Sequence, residues 1–261
     1  MEVIVFIKQV PSNENLKVDR EKGMLVREGV PSIMNTPDKN AVEEAIKLKE
    51  KFGGNVTVVT MGLPQAKEIL SEAIAMGADQ GILVSDRSFG GSDTLATATI
   101  LAGAAKKIGK FDVILCGMEA SDGATGQIPS KLAEILDIPA LTCAEFLEIT
   151  KDTATIIRTN ESFKEKIQCK LPLVCSVSTK INIPRIPSEE DRKNAEKSVF
   201  LEFSNKELNL NEADIGANGS PTKVAGSYLT PERKKGIIIK GSDEKDAGKK
   251  LIIELLSEKI I

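Results

Sequence analysis

The sequence contains no histidine and no tryptophan, and aromatic residues make up only 3% of its 261 residues. Without histidine, Ser-His-Asp triads, imidazole metal ligands and a histidine proton shuttle are excluded. Because aromatic side chains are so few, any ring system bound here would be held by backbone, aliphatic and polar groups. The side chains themselves bring little redox chemistry, so a cofactor would have to carry any electrons.

The four cysteines are Cys116, Cys143, Cys169 and Cys175, and they form no C-x-x-C pair. Three of them lie within apolar runs typical of strands. This placement favours buried structural thiols over a metal site or a redox centre.

Long apolar runs are also absent, since the longest, such as residues 1–7, are the length of a strand and too short to span a bilayer. Glu2 and Lys8 break the pattern of a secretory signal peptide. The formal charge of -3 and the pI of about 5.4 give no general attraction to nucleic acid or to anionic membranes. We therefore expect a cytoplasmic protein with no nucleic-acid partner and no membrane insertion.

What the sequence does contain is an alternation of strand and helix patterns. Apolar runs at residues 3–7, 56–61, 81–84 and 113–116 predict buried strands, and amphipathic helices separate them. Thr36 is the expected N-cap of the first helix, and residues 92–94 are expected to cap the third. Residues 16–19 and 24–27 predict a small hairpin. The series predicts an α/β fold with a doubly wound, mainly parallel sheet of the Rossmann-like, adenine-nucleotide-binding kind.

In such sheets ligands bind outside the carboxyl ends of the strands. Four loops lie there, at residues 8–12, 61–64, 85–93 and 117–129. The last loop is rich in glycine and in hydroxyl and amide donors, and we expect a helix to begin at Thr125 or Gly126, with Pro129 in its first turn. Free N–H groups at a helix start attract phosphate, so this loop is a candidate phosphate cradle. A glycine-rich connection without a ligand is the alternative.

Four blocks of sequence carry a family resemblance: KQVP at 8–11, MNTPDKNAVEEA at 34–45, AMGAD at 75–79 and DGATGQ at 122–127. Together, in this order and at these distances, they resemble the beta subunit of an electron transfer flavoprotein. The similarity spans nearly the whole chain.

The resemblance implies a heterodimer with a larger alpha subunit that carries one FAD, while the beta subunit holds either AMP or a second FAD. Flavin-bifurcating members take a hydride pair from NADH and divide it. One electron goes to ferredoxin or flavodoxin, and the other passes through the alpha-subunit FAD to an acyl-CoA dehydrogenase or another flavin-dependent dehydrogenase. Members with AMP only carry electrons between partners.

The resemblance also implies which residues contact the nucleotide. These are Phe6, Lys8, Asn35, Asp38, Met61, Asp122, Gly123, Ala124, Thr125, Gly126, Gln127, Ile128 and Pro129. Ala124 departs from the family pattern, because many relatives carry a second acid at this position.

The run GGSDTLAT at residues 90–97 resembles the family version in which this loop and helix approach a flavin. Asp93, Thr94 and Thr97 are therefore expected at the cofactor, and FAD is favoured over AMP. The alternative is a plain helix cap formed by Ser92 and Asp93.

After Asn182 the pattern changes to prolines and charged residues, which predicts a domain over residues 1–182 and, over residues 183–261, an extended C-terminal arm with a terminal helix. The resemblance implies that this arm contacts the alpha subunit, and an arm folded back on its own domain is the alternative. Two other functions remain open at this point: a stress-type adenine-nucleotide-binding module without a redox role, and a nucleotide-transferring enzyme of the same fold.

Overall fold

A computed structural model describes residues 1–12, 17–19, 24–26, 31–226 and 236–261. The chain divides into two compact units, Met1–Gly226 and Ser227–Ile261. None of the described helices is both long enough and apolar enough to cross a membrane.

The described strands and helices are numbered in chain order. The strands are β1 (Glu2–Phe6), β2 (Gln9–Pro11), β3 (Lys17–Asp19), β4 (Met24–Val26), β5 (Ser32–Met34), β6 (Asn55–Met61), β7 (Gln80–Val84), β8 (Val113–Gly117), β9 (Ala140–Ala144), β10 (Phe146–Thr150), β11 (Thr153–Asn160), β12 (Phe163–Lys170), β13 (Leu173–Val177) and β14 (Leu201–Phe203). The helices are α1 (Thr36–Phe52), α2 (Lys67–Met76), α3 (Thr94–Ile108), α4 (Ile128–Leu136), α5 (Glu189–Ala195), α6 (Asn205–Leu208) and α7 (Glu244–Ser257).

The centre of the first unit is a seven-stranded sheet in the order β14-β7-β6-β1-β8-β13-β9, and every neighbouring pair is parallel. Successive residues of β1 point to opposite faces. Val5 packs in the cluster that contains residues of α1 and α2, whereas Ile4 packs in the cluster that contains residues of α3 and α4. Helices therefore cover both faces, which confirms the predicted doubly wound fold.

Smaller antiparallel sheets accompany the central one. β10, β11 and β12 form a three-stranded sheet, and β2 pairs with β5. β3 and β4 pair antiparallel, as the predicted hairpin requires. The connecting residues 20–23, together with Leu16 and Arg27, lie outside the described residues.

Two predicted helix starts are wrong. Thr36 is the first residue of α1, and Asn35 takes the N-cap position with its side chain engaged elsewhere. α4 begins at Ile128 rather than at Thr125 or Gly126. Ala124 and Gly126 have φ angles of 45° and 60°, and a right-handed helix cannot contain such residues. The helix therefore begins only after them.

The predicted boundary after Asn182 also differs from the structure, because the first unit continues to Gly226. β14 lies within residues 183–261, which the sequence predicted to form an extended arm. It nevertheless pairs in parallel with β7 and extends the central sheet. The second unit begins after Gly226, and its described part contains α7.

Candidate functional site

A cavity of about 640 Å³ opens at the carboxyl edge of the sheet. The ends of β1, β6 and β8, the loop at residues 117–127 and the first turns of α3 and α4 surround it. Every residue that the sequence analysis assigned to the nucleotide lines this cavity, with the exception of Asn35. These lining residues are Phe6, Lys8, Asp38, Met61, Asp93, Thr94, Thr97, Asp122, Gly123, Ala124, Thr125, Gly126, Gln127, Ile128 and Pro129.

Asp38 connects three elements at the base of the cavity. Its Oδ2 atom accepts a hydrogen bond from the Lys8 amide at 2.8 Å, and Oδ1 accepts one from the Gly117 amide at 3.0 Å. Burial raises the pKa of Asp38 to about 7, although the hydrogen bonds, chiefly from the Lys8 amide, oppose this rise. The carboxylate thus joins the start of α1 to the ends of β1 and β8.

Asn35 lies behind the cavity and is 1% exposed. Its Nδ2 donates to the Glu119 carbonyl at 2.8 Å, and its Oδ1 accepts from the Ser121 amide at 3.2 Å. A side chain with both polar atoms engaged in this way fixes the path of the loop after β8. The structure therefore places Asn35 as a support of the loop that lines the cavity.

Lys8 and Asp122 form an ion pair between the end of β1 and the glycine-rich loop. Lys8 Nζ lies 2.7 Å from Oδ1 and 2.8 Å from Oδ2 of Asp122. The Lys8 side chain is 48% exposed, and ion pairs at such sites contribute only about 0–1 kcal/mol. A phosphate group could therefore replace the carboxylate as the partner of this cation at little cost.

The loop between Asp122 and α4 leaves backbone donors available. Among the described residues, the N–H groups of Thr125, Gly126 and Ile128 have no hydrogen-bond partner, whereas the Ala124 amide donates to the Ala120 carbonyl at 2.7 Å. Amides that follow one another through left-handed and right-handed conformations form concave anion sites, and the N-terminus of α4 adds a positive dipole. This part of the cavity is suited to phosphate.

The first two turns of α3 form another wall, beside the loop. Thr94, Thr97 and Leu101 all line the cavity, and their spacing of three and four residues places them on one helix face. Thr94 is held by its neighbours, because its hydroxyl donates to Gln127 Oε1 at 2.9 Å and accepts from Lys131 Nζ at 2.7 Å. Leu101 was not among the residues predicted from the sequence, although its spacing from Thr97 indicates the same helix face.

Asp93 is the N-cap of α3, and its Oδ1 atom accepts from the amides of Leu95 at 2.9 Å and Ala96 at 3.1 Å. The capping role considered as the alternative is therefore present, but Asp93 fills it without Ser92. The Ser92 hydroxyl donates instead to the Phe89 carbonyl at 2.8 Å.

Cys116 also lines the cavity and was not assigned to it from the sequence. Cys116 is 6% exposed, and burial raises the pKa of its thiol well above the usual value. Cys116 is a neutral thiol that packs in the core beside α3 and α4, as the prediction of buried structural thiols requires. Cys175 on the neighbouring strand is also buried.

Comparison with protein-family models matches residues 22–202 to the electron transfer flavoprotein domain. The chain belongs to the electron transfer flavoprotein family. Among curated proteins, it is 41% identical to electron transfer flavoprotein subunit beta of Clostridium acetobutylicum over 92% of each chain. The beta subunit of Thermoanaerobacterium thermosaccharolyticum is 40% identical over the full length of both chains. Caffeyl-CoA reductase-Etf complex subunit CarD of Acetobacterium woodii is 38% identical, again over both full lengths.

These matches confirm the resemblance on which the sequence analysis depended, and they identify the chain as a beta subunit of an electron transfer flavoprotein. Its role is accordingly in electron transfer. Most of the residues that line the cavity lie within the matched range, whereas residues 6–11 precede it.

Proposed function

We propose that the cavity at the carboxyl edge of the sheet binds FAD, and that the chain acts with an FAD-carrying alpha subunit in flavin-based electron bifurcation. The observation that carries this proposal is the extent of the cavity. It continues from the phosphate-suited loop at residues 122–128 along α3 as far as Leu101. AMP would require only this loop and the end of β1, and not the α3 region.

The polar region fits the phosphates of a dinucleotide. The amides of Thr125, Gly126 and Ile128, which have no partner within the described part of the chain, can donate to phosphate oxygens, and Lys8 supplies a cation nearby. Pro129 at the second position of α4 removes no donor that the helix would otherwise use internally. The site thus combines a charge and several fixed donors.

The α3 wall fits a flavin ring. Leu101 offers an apolar surface, and the Thr97 hydroxyl has no hydrogen-bond partner among the described residues. The volume of about 640 Å³ falls within the range of about 300–1,000 Å³ that is usual for ligand sites. Because the chain has no tryptophan and few aromatic residues, helix side chains rather than aromatic stacking would contact the ring.

A bound flavin would supply the redox chemistry, since it can exchange electrons with two-electron and one-electron partners. The residues of this chain bind and orient it. Lys8 and the loop amides hold the phosphates, Asp38 fixes the strand ends beneath them, and α3 sets the position of the ring. We propose NADH as the electron donor, with ferredoxin or flavodoxin and a flavin-dependent dehydrogenase as the acceptors.

Two observations support the partners. The Acetobacterium woodii relative is named as a subunit of a caffeyl-CoA reductase complex, and a relative in Anaerotignum propionicum is named as an electron transfer subunit of acryloyl-CoA reductase. In the second unit, α7 exposes a group of large aliphatic side chains, which a partner surface could bury. These are Leu251, Ile252, Ile253 and Leu256. We propose that residues 227–261 contact the alpha subunit.

Flavin and AMP content per heterodimer tests the proposal. The subunit is co-expressed with its alpha subunit, and nucleotides are extracted and quantified. We expect two FAD per heterodimer and bleaching of both by NADH. One FAD with one AMP would contradict the bifurcating function and favour the alternative, an electron carrier with AMP in the beta site.

A variant pair shows whether the second nucleotide lies in this cavity. Gly126→Val introduces a branched side chain at φ 60° in the loop, and Gly109→Val does the same at φ 101° beyond α3, where no atom lies within 4 Å of the added Cβ. We expect only Gly126→Val to lose the nucleotide. Equal nucleotide content in the two variants would count against this site.

A further inference from the structure

Residues 214–222, called the strap below, pack against the loop that precedes α3. The Ala217 amide donates to the Gly90 carbonyl at 3.0 Å, and the Gly216 amide donates to the Ser92 hydroxyl at 3.1 Å. A Cβ atom at Gly216, whose φ is 61°, would collide with the Ser88 carbonyl oxygen. The two backbones therefore approach as closely as glycine permits, over more than 120 residues of sequence separation.

Two strap side chains reach Asp93. Ser220 is 7% exposed, and its hydroxyl donates to the Gly216 carbonyl at 2.6 Å while it accepts from the Asp93 amide at 2.8 Å. Thr222 donates to Asp93 Oδ2 twice, from its amide at 3.0 Å and from its hydroxyl at 2.6 Å. Asp93 is thus hydrogen-bonded by the strap through both its backbone amide and its carboxylate.

The Asp93 carboxylate is shared between the strap and the helix. Oδ2 takes the two hydrogen bonds from Thr222, and Oδ1 caps α3 through the amides of Leu95 and Ala96. Burial raises the pKa of Asp93, but the hydrogen bonds from Thr222 and the capped amides outweigh it and leave the pKa below its ordinary value. The carboxylate is therefore ionised at neutral pH. Hydrogen bonds to a charged acceptor are stronger than those between neutral groups.

We propose that Ser220 and Thr222 are positioning residues for the cofactor: they hold Asp93, and through it the first turn of α3, where Thr94 and Thr97 line the cavity. Neither residue lines the cavity itself. This inference rests on the proposed function, since it concerns the wall that we assign to the flavin. This role accounts for the close packing of the strap, which lies beyond the predicted nucleotide-binding domain, against the start of α3.

The test uses the co-expressed heterodimer with the paired substitution Ser220→Ala and Thr222→Val. Ser188→Ala is the control, because Ser188 is the N-cap of α5, its side chain hydrogen-bonds only with Asp191 among the described residues, and neither residue lines the cavity. Thr222→Ser keeps the hydroxyl and should behave as the wild type. Hydrogen exchange of a peptide over residues 90–101 reports the first turn of α3, and titration of the stripped heterodimer with FAD, and separately with AMP, gives the affinities.

We expect exchange at the Leu95 and Ala96 amides to be at least tenfold faster in the paired variant, FAD binding to the beta site to be about tenfold weaker, and the visible circular dichroism of the saturated flavin to change. A segment that only stabilises the fold would lower the melting temperature and leave the affinity and the flavin spectrum at wild-type values, and that result would overturn the inference. Failure of the wild-type heterodimer to bind FAD at the beta site would instead overturn the proposed function, and this inference with it.

Discussion

Gly117, the last residue of β8, is a position at which the structure predicts a large effect of a single methyl group. A Cβ atom there would collide with Asp38 Oδ1 and lie 2.8 Å from Pro37 Cβ and 2.9 Å from the Asp38 amide nitrogen. These atoms belong to the first turn of α1, which is fixed by its own hydrogen bonds. Gly117→Ala must therefore push β8 and α1 apart.

The magnitude follows from two contributions. Separating the Gly117 amide from the buried carboxylate loses a hydrogen bond to a charged group, which costs about 1.5–3 kcal/mol. Forcing a methyl group into a filled site costs about 1–3 kcal/mol more. The sum, about 2.5–6 kcal/mol, is a large part of the stability of a typical domain, which is about 5–15 kcal/mol.

Urea unfolding of a glycine series measures this directly. Gly123→Ala is the matched control, because no atom lies within 4 Å of its added Cβ and its φ is not in the left-handed region. Gly126→Ala is intermediate, since its φ of 60° costs about 1–2 kcal/mol while its nearest neighbour, the Met118 carbonyl oxygen, is 3.5 Å away. We expect the order Gly117, Gly126, Gly123 in lost stability. Gly117→Ala with the stability of Gly123→Ala would refute the reasoning.

Three further predictions rest on single features. Thr60→Val should raise the free energy of unfolding by about 1 kcal/mol, since the Thr60 hydroxyl is fully buried without a partner among the described residues; a lower urea midpoint would contradict this. The pKa of Asp38 is raised from 3.8 to about 7, so its contribution to stability is complete below pH 4 and is lost as the pH rises through 7. Urea midpoints measured across this range should fall in the wild type, and Asp38→Asn should lack that component; parallel curves would exclude it. Deleting residues 227–261 should abolish assembly with the alpha subunit while the unit Met1–Gly226 stays folded. Size-exclusion chromatography that still shows the heterodimer would count against residues 227–261 as the contact.

The sheet could be predicted from the sequence because its central strands are buried on both faces and appear as continuous apolar runs. The position of the cavity followed from the same pattern, since parallel strands bring their carboxyl ends to one edge. β14 could not be predicted in this way. It has three residues, Leu201, Glu202 and Phe203, too few to show a periodicity, and its partner β7 lies more than 100 residues earlier in the chain.

The start of α4 illustrates a different limit. A glycine such as Gly126 indicates that the backbone can adopt a positive φ at that position. Ala124 gives no such indication, because residues with a side chain seldom adopt positive φ. The φ of 45° at Ala124 is imposed by the surrounding loop, in which the Ala124 amide reaches back to the Ala120 carbonyl. The hydrogen bond lies within the loop and uses only backbone atoms, so an alanine side chain gives no indication of this conformation.

The block at residues 34–45 carries much of the family resemblance. It contains residues that line the cavity and residues that only hold the chain in place, and the sequence alone could not distinguish the two. Asp38 lies at the base of the cavity, but Glu43 on the same helix points away from it and is 4% exposed. Arg185 binds Glu43 Oε2 with its Nε at 2.8 Å and its amide at 3.0 Å. Removing the arginine would leave a buried charge without its partner, which typically costs about 3–5 kcal/mol. Glu43 therefore anchors the segment that leaves β13. Its presence in the block indicates a constraint on the path of the chain rather than a second contact to the nucleotide.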